Sequence, residues 1–167
     1  MQSEPPFMLV DPELARRKAE RLFTVVRAAI VARLPEADIR HVGATAVPGC
    51  LTKGDLDIVV RVEAADFPAA DHALGAHFAR NDGSVRTDAF AAFADDRSDP
   101  PLGVQLVAIG GPLDVFHHFV EALRASPGLV AEYNALKSRF AGADMEVYRR
   151  AKSAFIEEVL ARRIPPS

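Results

Sequence analysis

The chain has 167 residues, with 20 lysines and arginines against 23 aspartates and glutamates, and a net charge of −3. This length fits one domain with a sizeable core, and the balanced charge excludes the broad basic surface that would predict a nucleic-acid partner. The single cysteine, Cys50, excludes an internal disulfide and favours a reducing compartment such as the cytoplasm. No signal peptide or membrane span is predicted, because no basic segment precedes a long apolar run.

The amino-terminal part of the chain is predicted to contain an arm and a long helix. Residues 1–10 are expected to be a poorly ordered, flexible arm, because two adjacent prolines keep the backbone extended. Asp11 followed by Pro12 is typical of a helix start, and apolar residues then recur at helical spacing up to the next proline. We therefore predict a helix over residues 11–34 and assign residues 11–167 to one domain.

Strands and helices are predicted along the rest of the chain from the spacing of apolar residues and from glycine and proline boundaries. The predicted strands cover residues 38–42, 55–62, 85–94 and 102–109. The predicted helices cover residues 65–79, 113–125, 127–141 and 144–163. This order predicts an α/β fold in which helices pack on a small mixed sheet of four or five strands, in a single domain.

The segment 41–60, HVGATAVPGCLTKGDLDIVV, carries the clearest chemical signal. Gly43 lets the backbone turn sharply, so that its N–H groups and the hydroxyl of Thr45 can be presented to an anion such as phosphate. The spacing from Gly43 to Gly49 is not that of a P-loop, and Cys50 stands where a P-loop requires lysine. The segment therefore predicts a phosphate-binding turn of another type.

Two aspartates follow this turn in the predicted strand. Asp55 and Asp57 are two residues apart, so their side chains are expected to project from the same face of the strand. Two carboxylates this close raise each other's free energy unless a cation or a donor neutralises them. The pair is therefore a candidate site for a divalent cation, Mg²⁺ or Mn²⁺.

A glycine turn followed about a dozen residues later by Asp-x-Asp on a strand is similar to the signature of the nucleotidyltransferase superfamily. More closely, the run from His41 to Gly49, followed by Lys53 and Asp57, resembles the GrpB family, also called UPF0157, a branch of that superfamily. The resemblance continues through Phe119–Arg124, Tyr133, Leu136, Lys137, Tyr148, Lys152, Phe155 and Ile156. It covers nearly the whole chain and implies a nucleotidyltransferase-like fold.

The chain departs from the superfamily pattern at two places. Ala44 stands where the superfamily turn usually has serine, so one hydroxyl that would contact phosphate is absent. The third acid of the superfamily is expected on the strand 103–109, whose inward polar residue is the neutral Gln105. Asp88, on the preceding predicted strand, is the candidate substitute.

The resemblance implies a set of site residues. Asp55 and Asp57 would be the catalytic residues and the metal ligands. The residues that would contact the nucleotide are His41, Gly43, Thr45, Lys53, Tyr133, Lys137, Tyr148 and Lys152.

Several of these residues also have an ordinary structural interpretation. For His41, a hydrogen-bonded histidine at a strand end is favoured over a phosphate contact. Lys53 is near enough in sequence to pair with Asp55 or with phosphate, and can also be a plain exposed lysine. In both Tyr-x-x-x-Lys pairs the two residues share a helix face, so each ring can simply pack under the lysine stem.

Two functions of different class follow. The first is a metal-dependent nucleotidyltransferase that moves a nucleotidyl group from a nucleoside triphosphate to a small acceptor. The second is a catalytically silent domain of the same fold that acts as a ligand-binding or interaction module; the neutral Gln105 and Ala44 favour it, and the intact aspartate pair argues against it. A third hypothesis, a partner in coenzyme A biosynthesis, rests on the fusion of some family members to dephospho-CoA kinase.

Overall fold

The structure is a computed structural model that describes residues 4–163, with Arg163 described by its backbone alone. Its helices are α1 (Pro12–Arg33), α2 (Phe67–Gly75), α3 (Phe116–Ala125), α4 (Pro127–Phe140) and α5 (Met145–Arg163). Its strands are β1 (Asp38–Val42), β2 (Leu56–Val62), β3 (Ala79–Arg80), β4 (Phe90–Asp95) and β5 (Leu102–Ala108). None of these helices is long and apolar enough to cross a membrane.

The five strands form one mixed sheet in the order β1-β2-β5-β4-β3. Strands β2 and β5 pair in parallel, and the other neighbours are antiparallel. In this register Asp57 of β2 lies between Val42 of β1 and Gly103 of β5. The predicted α/β fold with a small mixed sheet is thus confirmed.

Helices cover both faces of the sheet, because β2 is apolar on both faces. Leu56, Ile58 and Val60 pack with α1 and α2 on one face. Val59 belongs to the second core, with side chains of α3, α4 and α5. Since side chains alternate along a strand, Asp57 faces the second core together with Val59.

The first helix follows the sequence signals. The carboxylate of Asp11 accepts a hydrogen bond of 2.8 Å from the backbone N–H of Leu14, and Pro12 occupies the first turn. The helix ends at Arg33, just before Pro35. The prediction of a helix over 11–34 and of a strand over 38–42 is confirmed.

Later elements differ from prediction where long-range contacts redirect the chain. The predicted helix 65–79 ends at Gly75, and the chain continues into β3, where Arg80 pairs with Asp71 at 2.8 Å and lies over the ring of Phe93. Helix α3 starts at Phe116 rather than at 113. Its predicted first turn is pulled toward the sheet, because Asp114 accepts hydrogen bonds from a β2 arginine and from a backbone N–H.

The predicted disorder of residues 1–10 needs correction at Phe7. Residues 1–3 lie outside the described part of the chain. Phe7, in contrast, is 1% exposed and stacks on the ring of Tyr148 with the ring centroids 3.7 Å apart. Its backbone N–H donates to Ala143, and Val10 pairs with Thr52. A buried aromatic side chain therefore anchors this segment, which its two prolines alone did not reveal.

Candidate functional site

Asp57 lies in a gap made by two glycines. A Cβ atom added at Gly43 would lie 2.6 Å from Asp57 Oδ2, and one added at Gly103 would lie 2.9 Å from Asp57 Oδ1. Gly43 also has a φ of +78°, a conformation that side chains other than glycine rarely adopt. A side chain at either position would force the Asp57 carboxylate out of its observed place.

The Asp57 carboxylate has neither a hydrogen bond nor a salt bridge among residues 4–163. Burial raises its pKa, whereas the positive charge of Lys152 lowers it and the negative charge of Asp55 raises it further. A partly buried carboxylate without a partner is unfavourable, and such groups in proteins are normally neutralised by a cation or a donor. The geometry therefore points to a positively charged or hydrogen-bonding ligand at Asp57.

A pocket of about 210 Å³ opens beside Asp57, between the sheet and the carboxy-terminal helices. The sheet side contributes Gly43, Asp57 and Gln105, and α5 contributes Lys152. The Oε1 atom of Gln105 is buried and accepts no hydrogen bond from the described residues. The pocket thus combines an unpaired carboxylate, an unpaired amide oxygen and one ammonium group.

Asp55 lies just before β2, because the strand begins at Leu56 rather than at residue 55 as predicted. Its carboxylate is 2.8 Å from Lys53 Nζ, so it is already paired in this structure. It is close enough to Asp57 to raise the pKa of that carboxyl. The two acids are therefore neighbours in different states: Asp55 is neutralised by Lys53, and Asp57 is not.

The turn that begins at Gly43 is braced from within. The Thr45 hydroxyl donates a 3.0 Å hydrogen bond to the carbonyl oxygen of Asp55, and it lies 2.8 Å from His41 Nε2. Because the hydroxyl proton is used, His41 must donate through Nε2–H. His41 also stacks on Phe23 of α1, and burial lowers its pKa to about 4.

These contacts correct two of the expected nucleotide contacts. Thr45 is 2% exposed, and both of its hydroxyl interactions are internal, so its hydroxyl is not available to phosphate. His41 faces α1, on the side of the sheet opposite Asp57, as its pairing with Ile58 requires. Both side chains hold the turn against the start of β2.

Helices α3 and α4 hold the same turn from outside. Arg124 donates two hydrogen bonds to the carbonyl oxygen of Ala46, at 2.8 and 3.2 Å. Asn134 accepts from the N–H of Leu51 and donates to the carbonyl of Gly49. The sequence analysis did not assign a role to Asn134, because nothing in the helical spacing shows which turn an amide will reach.

The two Tyr–Lys pairs have different positions. Lys137 is 2% exposed, donates to the carbonyl of Leu51 and lies 4.0 Å from the ring centroid of Tyr133. Burial lowers the pKa of Lys137 to about 8. Lys152 instead reaches the pocket, as does the ring of Tyr133, whereas Tyr148 is buried against Phe7.

Lys137 therefore supports the turn from behind, and its ammonium does not line the pocket. In this pair the tyrosine ring packs against the lysine side chain, which is the structural interpretation given above. Of the four residues, Tyr133 and Lys152 border the space beside Asp57.

Asp88, the candidate for the third acid, is not near Asp57. It is exposed and precedes Phe90, which pairs with Val107, whereas Gly103 pairs with Ala94 at the other end of β4. Asp88 therefore lies away from Asp57, and Gln105 is the polar residue of β5 that reaches the pocket.

The donor set fits a divalent cation only if a bound ligand completes the coordination of that cation. No group of three histidine, cysteine, aspartate or glutamate side chains able to hold a metal occurs among the described residues. Mg²⁺ usually retains several waters and uses one or two carboxylates together with substrate phosphates. Asp57, with Asp55 beside it, matches that requirement, and Gly43 keeps the backbone close.

Gly103 was not singled out from the sequence, although a signal for it exists. A glycine inside an otherwise apolar strand indicates a bulge or the close approach of another group. Here the group is the Asp57 carboxylate.

Comparisons with known sequences agree on one family. A sequence model of the GrpB protein family matches residues 11–162. A UPF0157 protein of Vibrio cholerae is 37% identical over 144 residues, which cover 86% of this chain and 76% of that protein. A UPF0157 protein of Deinococcus radiodurans is 30% identical over 159 residues, which cover 92% of this chain and 81% of that protein.

Comparisons with solved structures agree on the fold. The conserved protein GrpB from Enterococcus faecalis matches with a TM-score of 0.68 and 18% identity, over 91% of this chain and 93% of that one. The poly(U) polymerase Cid1 with MgGTP bound matches with a TM-score of 0.54 and 12% identity, over 77% of this chain and 42% of Cid1. At these identities the likeness shows a nucleotidyltransferase-like fold and no more.

Proposed function

The chain belongs to the GrpB family, and from this premise we propose that it binds a nucleoside triphosphate with Mg²⁺ or Mn²⁺ and transfers the nucleotidyl group to a small acceptor. The observation that carries the proposal is the partnerless carboxylate of Asp57, held between Gly43 and Gly103 at the mouth of a pocket. The fold is similar to that of Cid1, which binds MgGTP.

Asp57 would hold the cation together with Asp55. When bound, the cation supplies positive charge that offsets the negative charge developing on the phosphates during transfer. Lys53 is 39% exposed at its side chain and pairs with Asp55 in this structure. Its ammonium would exchange Asp55 for a phosphate oxygen, and this would release the second carboxylate for the cation.

The remaining groups position the triphosphate. The turn after Gly43 would donate backbone N–H groups to phosphate oxygens. Its shape is set by His41 and Thr45 from within and by Arg124 and Asn134 from outside. A preformed turn costs little further ordering when the ligand binds, which is the main benefit of holding it at four points.

The transfer itself requires one displacement. The acceptor oxygen forms a bond to the α-phosphorus, the bond to the pyrophosphate oxygen breaks, and the hydroxyl proton passes to water. Positioning and charge stabilisation account for most of the catalysis of phosphoryl-type transfer. This suits a site with few titratable groups in the described part of the chain.

Binding tests the proposal directly. Melting temperature is measured with ATP, GTP, CTP and UTP, each with and without Mg²⁺, and the dissociation constant of the best ligand follows by calorimetry. We expect a shift that requires Mg²⁺ and is lost in Asp57→Asn, because the amide cannot neutralise a cation. Asp88→Asn is the matched control, since it removes an exposed carboxylate at the far end of β4. Equal binding by wild type and Asp57→Asn would contradict the proposal.

A catalytically silent module is the second candidate, and specific observations favour it. Gln105 supplies no charge, and Lys53 already neutralises Asp55. Such a module would bind its ligand without a cation, through Lys152 and the amide of Gln105. Nucleotide binding that is indifferent to Mg²⁺ and to Asp57→Asn, with no release of pyrophosphate, identifies this function.

A further inference from the structure

The pocket beside Asp57 has an apolar half that the phosphates of a nucleotide would not fill. It is formed by Val115, Phe116, Phe119, Tyr133 and Ile156, which come from α3 and its preceding residue, α4 and α5. The whole pocket, including its polar half, has a volume of about 210 Å³, which is below the range of roughly 300–1,000 Å³ that is usual for drug-sized ligands. The apolar half therefore fits a group about the size of one ring.

Gln105 gives this half of the pocket one unsatisfied polar group. Its Oε1 atom is buried without a donor, and an unsatisfied buried acceptor is unfavourable. Its Nε2 atom lies 3.3 Å from the point above Gly103 where a Cβ atom would stand, and Asp57 Oδ1 lies 2.9 Å from the same point. The amide and the carboxylate thus share the space over Gly103.

We propose that this half of the pocket binds the acceptor of the transfer, and that the acceptor is a small uncharged molecule with an apolar ring bearing a hydroxyl group. The identification of this molecule as the acceptor rests on the proposed function. The binding of a ring with a hydroxyl group in this pocket does not depend on that function. The ring lies among the aromatic side chains, and the hydroxyl bonds to the Gln105 amide next to Asp57, where a nucleotide phosphate would be attacked.

A hydroxyl fits the amide better than other groups do. It donates one hydrogen bond and accepts others, so it can take a bond from Nε2–H and, after a small rotation of the amide, donate to the buried Oε1. An uncharged ligand fits because the Gln105 amide and the Asp57 carboxylate share the space over Gly103. A negative group there would be repelled by Asp57, and a positive group would compete with the proposed cation for the same carboxylate.

Phenol and toluene are the probes, because they have nearly the same shape and differ by the hydroxyl. Their dissociation constants are measured by NMR from the shifts of the Val115 and Ile156 methyl groups. We expect phenol to bind about two- to twelvefold more tightly than toluene, the effect of one hydrogen bond. Benzoate, which has the same ring with a negative charge, is expected to bind more weakly than phenol.

The variant Gln105→Met tests the assigned contact, since methionine has a similar length and no strong hydrogen-bonding group. We expect it to bind toluene as well as the wild type does and to lose the preference for phenol. Asn81→Leu, which removes an exposed amide outside the pocket, is the control and is expected to keep the preference. A melting curve confirms that each variant is folded. An unchanged preference in Gln105→Met overturns the proposal.

A second experiment tests whether the pocket binds the acceptor or the nucleobase of the nucleotide. Phenol is titrated again in the presence of saturating MgATP. Retained phenol binding supports an acceptor pocket, and competition overturns it by assigning the pocket to the nucleobase. If MgATP binds and neither probe does, this inference fails and the proposed function stands. If phenol binds with the expected dependence on Gln105 and no nucleotide binds, the proposed function fails instead.

Discussion

Acidification should destabilise this protein through His41. The ring is buried between α1 and the turn, and it donates to Thr45 as a neutral imidazole. Burial is the main cause that lowers its pKa from 6.5 to about 4; the charge of Arg124 acts in the same direction and that of Glu20 opposes it. Because the folded pKa is below the unfolded one, the unfolded state binds the proton more tightly. His41 therefore supports folding fully above pH 6.5, and this support is lost as the pH falls toward 4.

The magnitude follows from the shift. A change from 6.5 to about 4 corresponds to a total of about 3 kcal/mol, since one pKa unit is worth about 1.36 kcal/mol. At pH 5 the unfolded histidine is almost fully protonated and the folded one is almost neutral. The expected loss between pH 7 and pH 5 is therefore about 2 kcal/mol.

Urea unfolding at pH 7 and pH 5 measures this loss, with His41→Gln as the variant that lacks the titrating ring. The wild type should lose about 2 kcal/mol more than His41→Gln does, because contributions from other groups cancel in the comparison. His72→Gln removes an exposed imidazole of α2 and controls for the change in formal charge. If the wild type and His41→Gln have the same pH dependence, the ring is not buried as a neutral group and the account of the turn is refuted.

Three further predictions concern the site and its support. Gly43→Ala and Gly110→Ala both place a side chain at a φ near +80°. Gly110→Ala should lose about 1–2 kcal/mol in urea unfolding, and Gly43→Ala should lose more, because its Cβ atom would also lie 2.6 Å from Asp57 Oδ2. Only Gly43→Ala should also weaken Mg-nucleotide binding in calorimetry, because its Cβ atom would displace the Asp57 carboxylate; equal binding by both variants contradicts this. Asp57→Asn should raise the stability of the ligand-free protein in urea unfolding at pH 8 by roughly 0.5–2 kcal/mol. The pKa of Asp57 is raised in the folded protein, so the ionised carboxylate opposes folding above that pKa. A loss of stability in this variant would show that the carboxylate has a partner. Asp114→Ala should cost about 1–3 kcal/mol at pH 7, because Arg61 loses Asp114 at 2.7 Å but keeps Asp38, also at 2.7 Å. The wild-type contribution of Asp114, whose pKa is lowered to about 2 by that arginine, should fade as the pH falls from 3.8 toward 2. A variant as stable as the wild type at pH 7 would show that the pair is dispensable.

The support of the turn bears on both proposed functions. Arg124, Asn134 and Lys137 all reach its backbone from the helical layer, so the position of the turn is fixed relative to α3 and α4. Either proposed function would use a turn held in this way. Measurement of pyrophosphate release is the observation that separates them.

Local features of this protein were determined by the sequence alone. The bounds of α1 follow from Asp11, Pro12 and Pro35, because capping and helix termination involve only neighbouring residues. Strand β1 was predicted at its observed bounds. The glycine turn followed by Asp57 on a strand could also be predicted directly, since a turn and a strand are local structures. The nucleotidyltransferase-like fold was implied by the resemblance of this segment to a known family.

Tertiary structure alone decided which side chains are free to act. Tyr133–Lys137 and Tyr148–Lys152 have the same spacing, yet Lys137 is buried behind the turn and Lys152 reaches the pocket. Helical spacing defines a face but not the surface that the face meets, since that depends on residues distant in sequence. The same reason explains three features of the site that depend on how the sheet and the helices pack. They are the internal hydrogen bonds of Thr45, the pairing of Asp55 with Lys53, and the lack of a hydrogen bond or salt bridge to Asp57 among residues 4–163.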